Sequence, residues 1–240
     1  MPAMLAPRSA IASNAVFTSA RCVMAKATIY LGNKNYSSWS LRGWLALAMS
    51  GIEFDEVVIP LGEPETAETI REFSPSGRVP VLHHDDTVVW DSLAIGEYLA
   101  ERVKRQLWPG DSDARALARA VSAEMHSGFV AMRAALPMNV RRTYPNIEII
   151  PEVQADITRI TAIWRDCRTR FGKGGPFLFG RLSLADAMYA PVVSRFHSYG
   201  VELDETASEY CQAMRELGEM KSWAQAARNE PMVQERYELD

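Results

Sequence analysis

All the strand-like runs of this 240-residue chain lie before residue 91, and everything after them reads as helix. A chain so divided must first build a small sheet covered by helices and then a separate helical layer. "ATIYL", Ala27 to Leu31, is a β-branched and aromatic run and is expected to be a strand. After a polar loop, Leu41, Trp44, Leu45, Ala48 and Met49 recur at three and four, the spacing of a helix face. Gly51 stands where a helix end favours a left-handed residue. "FDEVVIPL" reads as a second strand. "PETAETIREF" opens with Pro64 and acidic residues, which suit a helix start. "RVPVLHHDDTVVWD" holds two strand runs, Val79 to His83 and Thr87 to Trp90, joined at Asp85-Asp86 as in a hairpin. "SLAIGEYLAERV" is again helical. The order is β-α-β-α-β-β-α, an α/β arrangement in which the strand–helix–strand part implies parallel strands with a right-handed crossover.

"KRQLWPGDSDA" is punctuated by Pro109-Gly110 and reads as a linker. Beyond it, Asp111 to Ala135 is Ala-rich and expected to be helical. Val153, Ile157, Ile160, Trp164, Cys167 and Phe171 form a clean helical stripe. "LSLADAMYAPVVSRF" begins with Ser183 and Asp186 at the spacing of a capping box, and its low polarity predicts burial on all sides. "MKSWAQAARNEP" gives a last helix. The expected organisation is an extension over 1–25, a mixed α/β domain over 26–104, a linker over 105–110 and an all-helical domain over 111–240.

The formal charge of −4 offers no basic stripe for nucleic acid. No apolar run approaches the roughly 18 to 20 residues of a membrane helix. Cys22, Cys167 and Cys211 form no CxxC pair and no zinc spacing, so a reducing, cytoplasmic setting is expected. His83, His84, His126 and His197 form no HxxxH or HxH cluster, so no metal is expected. Residues 1–25 are rich in Ala and Ser, with Arg8, Arg21 and no acid. That composition fits a disordered extension, an upstream start before Met24, or a transit peptide.

Four segments carry a resemblance. "SSWSLRGWLAL" resembles the zeta signature Ser-Ser-Cys-x-x-Arg followed by an apolar helix. "SPSGRVPVL" is similar to Asn-Pro-x-x-x-Val-Pro-x-Leu. "WDSLAIGEYLAE" is similar to Gln/Glu-Ser-x-Ala-Ile-x-x-Tyr-Leu, and "LSLADAMYAPVV" resembles a buried helix of the second domain. In this order and spacing, over residues 27 to about 230, the chain resembles the cytosolic glutathione transferases and, among them, the zeta-like group. The resemblance implies a thioredoxin-like domain followed by a helical bundle. It also implies glutathione as co-substrate, an electrophilic small molecule as second substrate, and a homodimer. Two positions depart from the pattern: Trp39 stands at the zeta cysteine, and Asp91 at the Gln/Glu.

The chemistry then required is a thiolate, since the thiolate is the nucleophile and a free thiol with a pKa of about 8.5 is mostly protonated at neutral pH. A hydroxyl donor and a helix N-terminus both favour the charged sulfur. By resemblance Ser37 is the donor and Ser38 the alternative, although a serine before a helix is equally a preferred cap. Ser37, Ser38, Trp39, Val79, Pro80, Asp91 and Ser92 are the positions implied to meet glutathione. Val79-Pro80 would be a cis peptide presenting the Val79 backbone to the cysteinyl part; without the resemblance it reads as a proline opening an edge strand. Asp91 suits an ammonium, and Ser92 at a helix start suits a carboxylate. Tyr36, Trp39, Arg133 and Arg195 are candidates for the second-substrate pocket, the arginines facing an acidic electrophile or simply solvent. A glutathione-dependent isomerase of the maleylacetoacetate type and a non-catalytic, transferase-like binding protein are the alternative readings. A disulfide reductase is disfavoured, because the loop before the first helix holds serines and Trp39 where such enzymes carry a cysteine.

Overall fold

The structure is a computed structural model that describes residues 27–239, so the expectations for residues 1–25 lie outside the described residues. The first part runs β1 (Ala27–Leu31), α1 (Ser38–Ser50), β2 (Phe54–Val58), α2 (Thr66–Phe73), β3 (Val81–His84), β4 (Thr87–Val89) and α3 (Ser92–Arg102). The strands form one sheet in the order β2-β1-β3-β4, with β1 and β2 parallel and β3 antiparallel to both β1 and β4. This is a thioredoxin-like sheet, and alternation along β1 explains its two faces. Ala27, Ile29 and Leu31 are buried in the core shared with α1 and α3. Tyr30 points the other way and stacks on Phe73 of α2, with ring centroids 4.3 Å apart.

α1 ends as expected at Gly51, whose φ of 79° is left-handed. β3 begins at Val81 rather than Val79: Val79-Pro80 is a cis peptide, and Pro80 has no N–H for the ladder. β4 ends at Val89, one residue short of the expected Trp90, and Trp90-Asp91 is also cis. The hairpin turns at Asp85, with φ 51°.

The second part is helical: α4 (Ser112–Ser127), α5 (Val130–Ala135), α6 (Pro151–Phe171), α7 (Leu184–Ser198), α8 (Glu205–Glu216) and α9 (Gly218–Asn229), with a short 3-10 turn at Glu235–Tyr237. The single helix expected from Asp111 to Ala135 is two. Gly128, where a Cβ would meet the Glu124 carbonyl at 2.8 Å, and Phe129, at φ 58°, interrupt it. A bulky residue in the left-handed region is uncommon, and burial of the Phe129 ring in the core offsets the strain. α8 is a helix beyond those expected, and Asp204 caps it by accepting from the Ala207 N–H at 2.9 Å.

The stripe of α6 is buried as its spacing requires, from Val153 to Cys167. Trp164 sits at its centre against the rings of Tyr189, Phe196 and Tyr210 at 5.8, 5.5 and 4.8 Å. α7 is buried almost throughout and packs on α1, which joins the two parts. Its start is held by Asp186, whose Oδ2 accepts from the Ser183 N–H at 2.8 Å and hydroxyl at 2.9 Å, and whose Oδ1 accepts from the Leu178 N–H at 3.1 Å.

Candidate active site

The loop between β1 and α1 is pinned from several directions. The Asn33 carbonyl accepts from the Tyr36 and Ser37 N–H groups at 3.2 and 2.8 Å. Asn35 reaches the helical part, where its Oδ1 accepts from the Val140 and Arg141 N–H groups at 2.8 and 2.9 Å. Ser40 Oγ accepts from the Gly32 N–H at 2.9 Å. These bonds hold Ser37, Ser38 and Trp39 at the seam between sheet and helices.

Two cavities open there, with Ser37, Trp39 and Leu61 as their shared wall. The larger, of about 630 Å³, is also lined by Val79, Pro80, Asp91 and His126. The smaller, of about 250 Å³, is lined by Tyr36, Ser38, Arg133, Arg195, Gln234 and Tyr237. Residues far apart in sequence, from Ser37 to His126, thus converge in the larger space, and all four second-substrate candidates line the smaller one.

Ser37 is the N-cap of α1. Its Oγ accepts from the Ser40 N–H at 3.3 Å and donates to Ser40 Oγ at 2.8 Å. Ser38 opens the helix, and its Oγ accepts from Arg195 Nη2 at 3.4 Å. Both serines are 8% exposed, so both keep a small opening to the cavities. Across the larger cavity, Pro80 lies against Gly43 of α1, where any Cβ would come within 2.8 Å of the proline ring. The missing side chain lets the Val79-Pro80 loop approach the serine end of the helix.

Asp91 caps α3. Its Oδ1 accepts from the Leu93 and Ala94 N–H groups at 3.1 and 3.3 Å. Its Oδ2 lies 2.9 Å from His126 Nε2 of α4. Ser92 is buried behind it, and its hydroxyl has no partner among the described residues. A buried hydroxyl left without a bond costs free energy unless something satisfies it.

Trp39 is surrounded by cations. The guanidiniums of Arg42 and Arg133 lie over its ring at 4.8 and 4.5 Å, and the ring of His126 meets it edge-on at 5.1 Å. Arg195 is buried, donating from Nε to the Leu136 carbonyl at 2.7 Å. Burial, with Arg133 nearby, pushes Arg195 down to about 10. Arg42 is pushed down to about 9 by burial and by the charges of Arg133 and Arg195, and its Nε and Nη1 have no partner among the described residues. Burial also lowers Arg133. Among the described residues none of the three makes a salt bridge. The reading of Arg133 and Arg195 as solvated side chains is corrected: one is half-buried and the other buried, because α5 and α7 turn them inward.

Arg42 falls on the arginine of the zeta signature and follows the serines inside α1. His126, Gln234 and Tyr237 line these cavities without a signal in the sequence. His126 had none, since its partners Asp91 and Trp39 are distant in sequence. Gln234 and Tyr237 belong to a strap over residues 230–239. Arg141 donates to the carbonyls of Glu230 and Met232 at 2.7 and 2.6 Å. The Glu230 carboxylate accepts from the Lys34 and Asn35 N–H groups at 2.6 and 3.1 Å. The Tyr36 hydroxyl is committed to this strap, donating to Glu238 and accepting from the Gln234 N–H at 3.2 Å. Burial pushes Cys167 and Cys211 up to about 12, so neither supplies a reactive thiol. Among the described residues no His, Cys, Asp or Glu group suits a metal, and no helix is long and apolar enough to cross a membrane.

A thioredoxin-like sheet followed by a helical bundle, with a cavity at the serine end of α1, defines a class that comparison with known proteins identifies. The glutathione S-transferase N-terminal domain matches residues 36–102 and the C-terminal domain residues 150–224. The chain belongs to the glutathione S-transferase family, and its relatives place it with the zeta-like group. It is 30% identical over 184 residues to maleylacetoacetate isomerase of Rattus norvegicus, covering 74% of this chain and 82% of that protein. It is 36% identical over 108 residues to the Mus musculus enzyme of the same name, covering 43% of this chain and 49% of that protein. Among solved structures, a glutathione transferase homologue from Burkholderia with bound glutathione shares the fold at a TM-score of 0.66 and 21% identity, over 85% of this chain and 99% of that one. A bacterial zeta-class maleyl pyruvate isomerase does so at 0.65 and 21%, over 85% and 99%.

Proposed function

We propose that the protein binds glutathione in the larger cavity, turns its thiol into a thiolate at Ser37, and directs that thiolate at an electrophile in the smaller cavity. The observation that carries this is the convergence of Ser37, Val79, Pro80 and Asp91 on one cavity. The cysteinyl part would run along the Val79 backbone as an added strand. The γ-glutamyl carboxylate would meet the Ser92 hydroxyl and the α3 N-terminus, and its ammonium the Asp91 carboxylate. The sulfur then faces the N-terminus of α1. Its proton leaves to solvent, and the Ser37 hydroxyl turns from Ser40 Oγ to the sulfur. A bond to a charged acceptor is worth about 1.5 to 3 kcal/mol against about 1 for the neutral one it replaces. The buried arginines near Trp39 add positive potential in the same place. One pKa unit needs about 1.4 kcal/mol, so these terms suffice to ionise the thiol at neutral pH.

Arg133 and Arg195 border the smaller cavity without a carboxylate partner, which supports an acidic electrophile. That feature, with the relatives named above, keeps a second reading: reversible addition and elimination of glutathione in a cis-trans isomerisation. Trp39 at the zeta cysteine position weighs against it. Assaying glutathione before and after turnover separates conjugation, which consumes it, from isomerisation, which does not. A reducing, cytoplasmic setting and a homodimer belong to the same proposal.

The test is an ultraviolet difference titration of glutathione on the protein across pH. A bound thiolate forming well below the free thiol pKa of about 8.5 is expected. Ser37→Ala should raise that midpoint by about one unit or more while most of the affinity remains. Binding without ionisation would overturn the catalytic reading in favour of a non-catalytic binding protein.

A further inference from the structure

Asp91 does not stand free at the end of the larger cavity. Its Oδ1 is spent on two N–H groups of α3, and its Oδ2, the oxygen left for a ligand, lies 2.9 Å from His126 Nε2. His126 comes from α4, so the contact crosses from the helical part to the sheet part. Its own place is fixed on two further sides. The ring edge rests on Trp39 at 5.1 Å, and the His126 carbonyl accepts from Arg133 Nη1 at 3.1 Å. Its Nδ1 is buried with no partner among the described residues, so none of their bonds turns the imidazole away from Asp91.

We propose that His126 is a positioning residue for glutathione: it aims the Asp91 carboxylate into the larger cavity and ties it to Trp39, the wall shared with the smaller one. This rests on the reading that glutathione occupies the larger cavity with its amino end at Asp91. Without the imidazole, Asp91 keeps its cap but can turn Oδ2 towards water, and an ammonium must reorder it on binding. Since the bond is made to a charged group and solvent recovers only part of it, a loss of about tenfold in affinity is expected.

The experiment is calorimetric titration of the full-length protein with glutathione, alongside thermal melting. His126→Ala and His126→Phe should each weaken binding about tenfold. The phenylalanine keeps a ring against Trp39, so it isolates the hydrogen bond from the packing. His126→Gln, which retains a donor, should recover most of the affinity; a merely structural role would not order the variants this way. Asp91→Asn should weaken binding, and adding His126→Ala to it should cost little more, because the two side chains act as one unit. Variants that melt like wild type and bind glutathione equally well would overturn the proposal while leaving the glutathione site standing. Absence of glutathione binding by the wild type would overturn both.

Discussion

Arg42, stacked on the cavity wall Trp39, shows how a residue can work against stability. Its guanidinium is buried in α1 with two nitrogens unpartnered and two more arginines close by. An uncompensated buried charge is costly, and replacing it with an apolar side chain of similar shape is often stabilising. Arg42→Met should therefore leave stability unchanged or raise it by about 1 to 3 kcal/mol in urea unfolding, while the bound thiol becomes less acidic. A clear loss of stability would show that Arg42 has a structural partner instead. Ser92 makes the opposite pair of expectations. Its hydroxyl has no partner among the described residues, so Ser92→Ala should change the melting point little yet weaken glutathione binding severalfold. At this scale the sequence named Ser37, Asp91 and Ser92 because motif positions are local. It did not show that Ser37 spends its proton on Ser40, nor that Asp91 is held by His126, because those depend on side chains meeting after folding.

Among the elements, α7 is the one on which both parts depend, and Asp186 is its anchor. Burial pushes its carboxyl from 3.8 to about 6 even though Leu178 and Ser183 donate to it. The folded state therefore holds this proton more tightly than the unfolded chain. The stability it contributes is present below about pH 4 and is lost as pH rises to about 6. Against Asp186→Asn as reference, wild type should lose about 2 to 3 kcal/mol over that window in denaturant melts. A flat difference would mean that the carboxyl is ionised throughout. Gly43 offers a second test at this scale: Gly43→Ala should force Pro80 away, cost about 1 to 3 kcal/mol and weaken glutathione binding. The elements themselves were mostly readable in the sequence. β1, the α6 stripe and the Ser183–Asp186 start are set by local period and capping, which one sequence displays. The break at Gly128 and Phe129 was not readable, since it rests on a core that accepts the Phe129 ring. α8 is legible as well, in the cap Asp204 and the helical spacing of Ala207, Tyr210, Cys211 and Met214.

For the whole molecule, the strap over 230–239 matters as much as the α1–α7 contact. It ties Lys34, Asn35 and Tyr36 to Asn139 and Arg141, and it supplies two walls of the smaller cavity. Arg141→Ala removes the strap's main clamp and should cost about 2 to 3 kcal/mol, a fall of roughly 5 to 10 °C in the melting midpoint. It should also alter the KM for the acceptor more than that for glutathione, since Gln234 and Tyr237 face only the smaller space. Equal changes in both constants would argue against that division. The shared wall of Ser37, Trp39 and Leu61 has a kinetic consequence of its own. With glutathione in one space and the acceptor in the other, as proposed, a conjugate straddles it and fills both spaces at once, so the product should inhibit competitively against either substrate, and its release should pace turnover whenever the acceptor itself binds tightly.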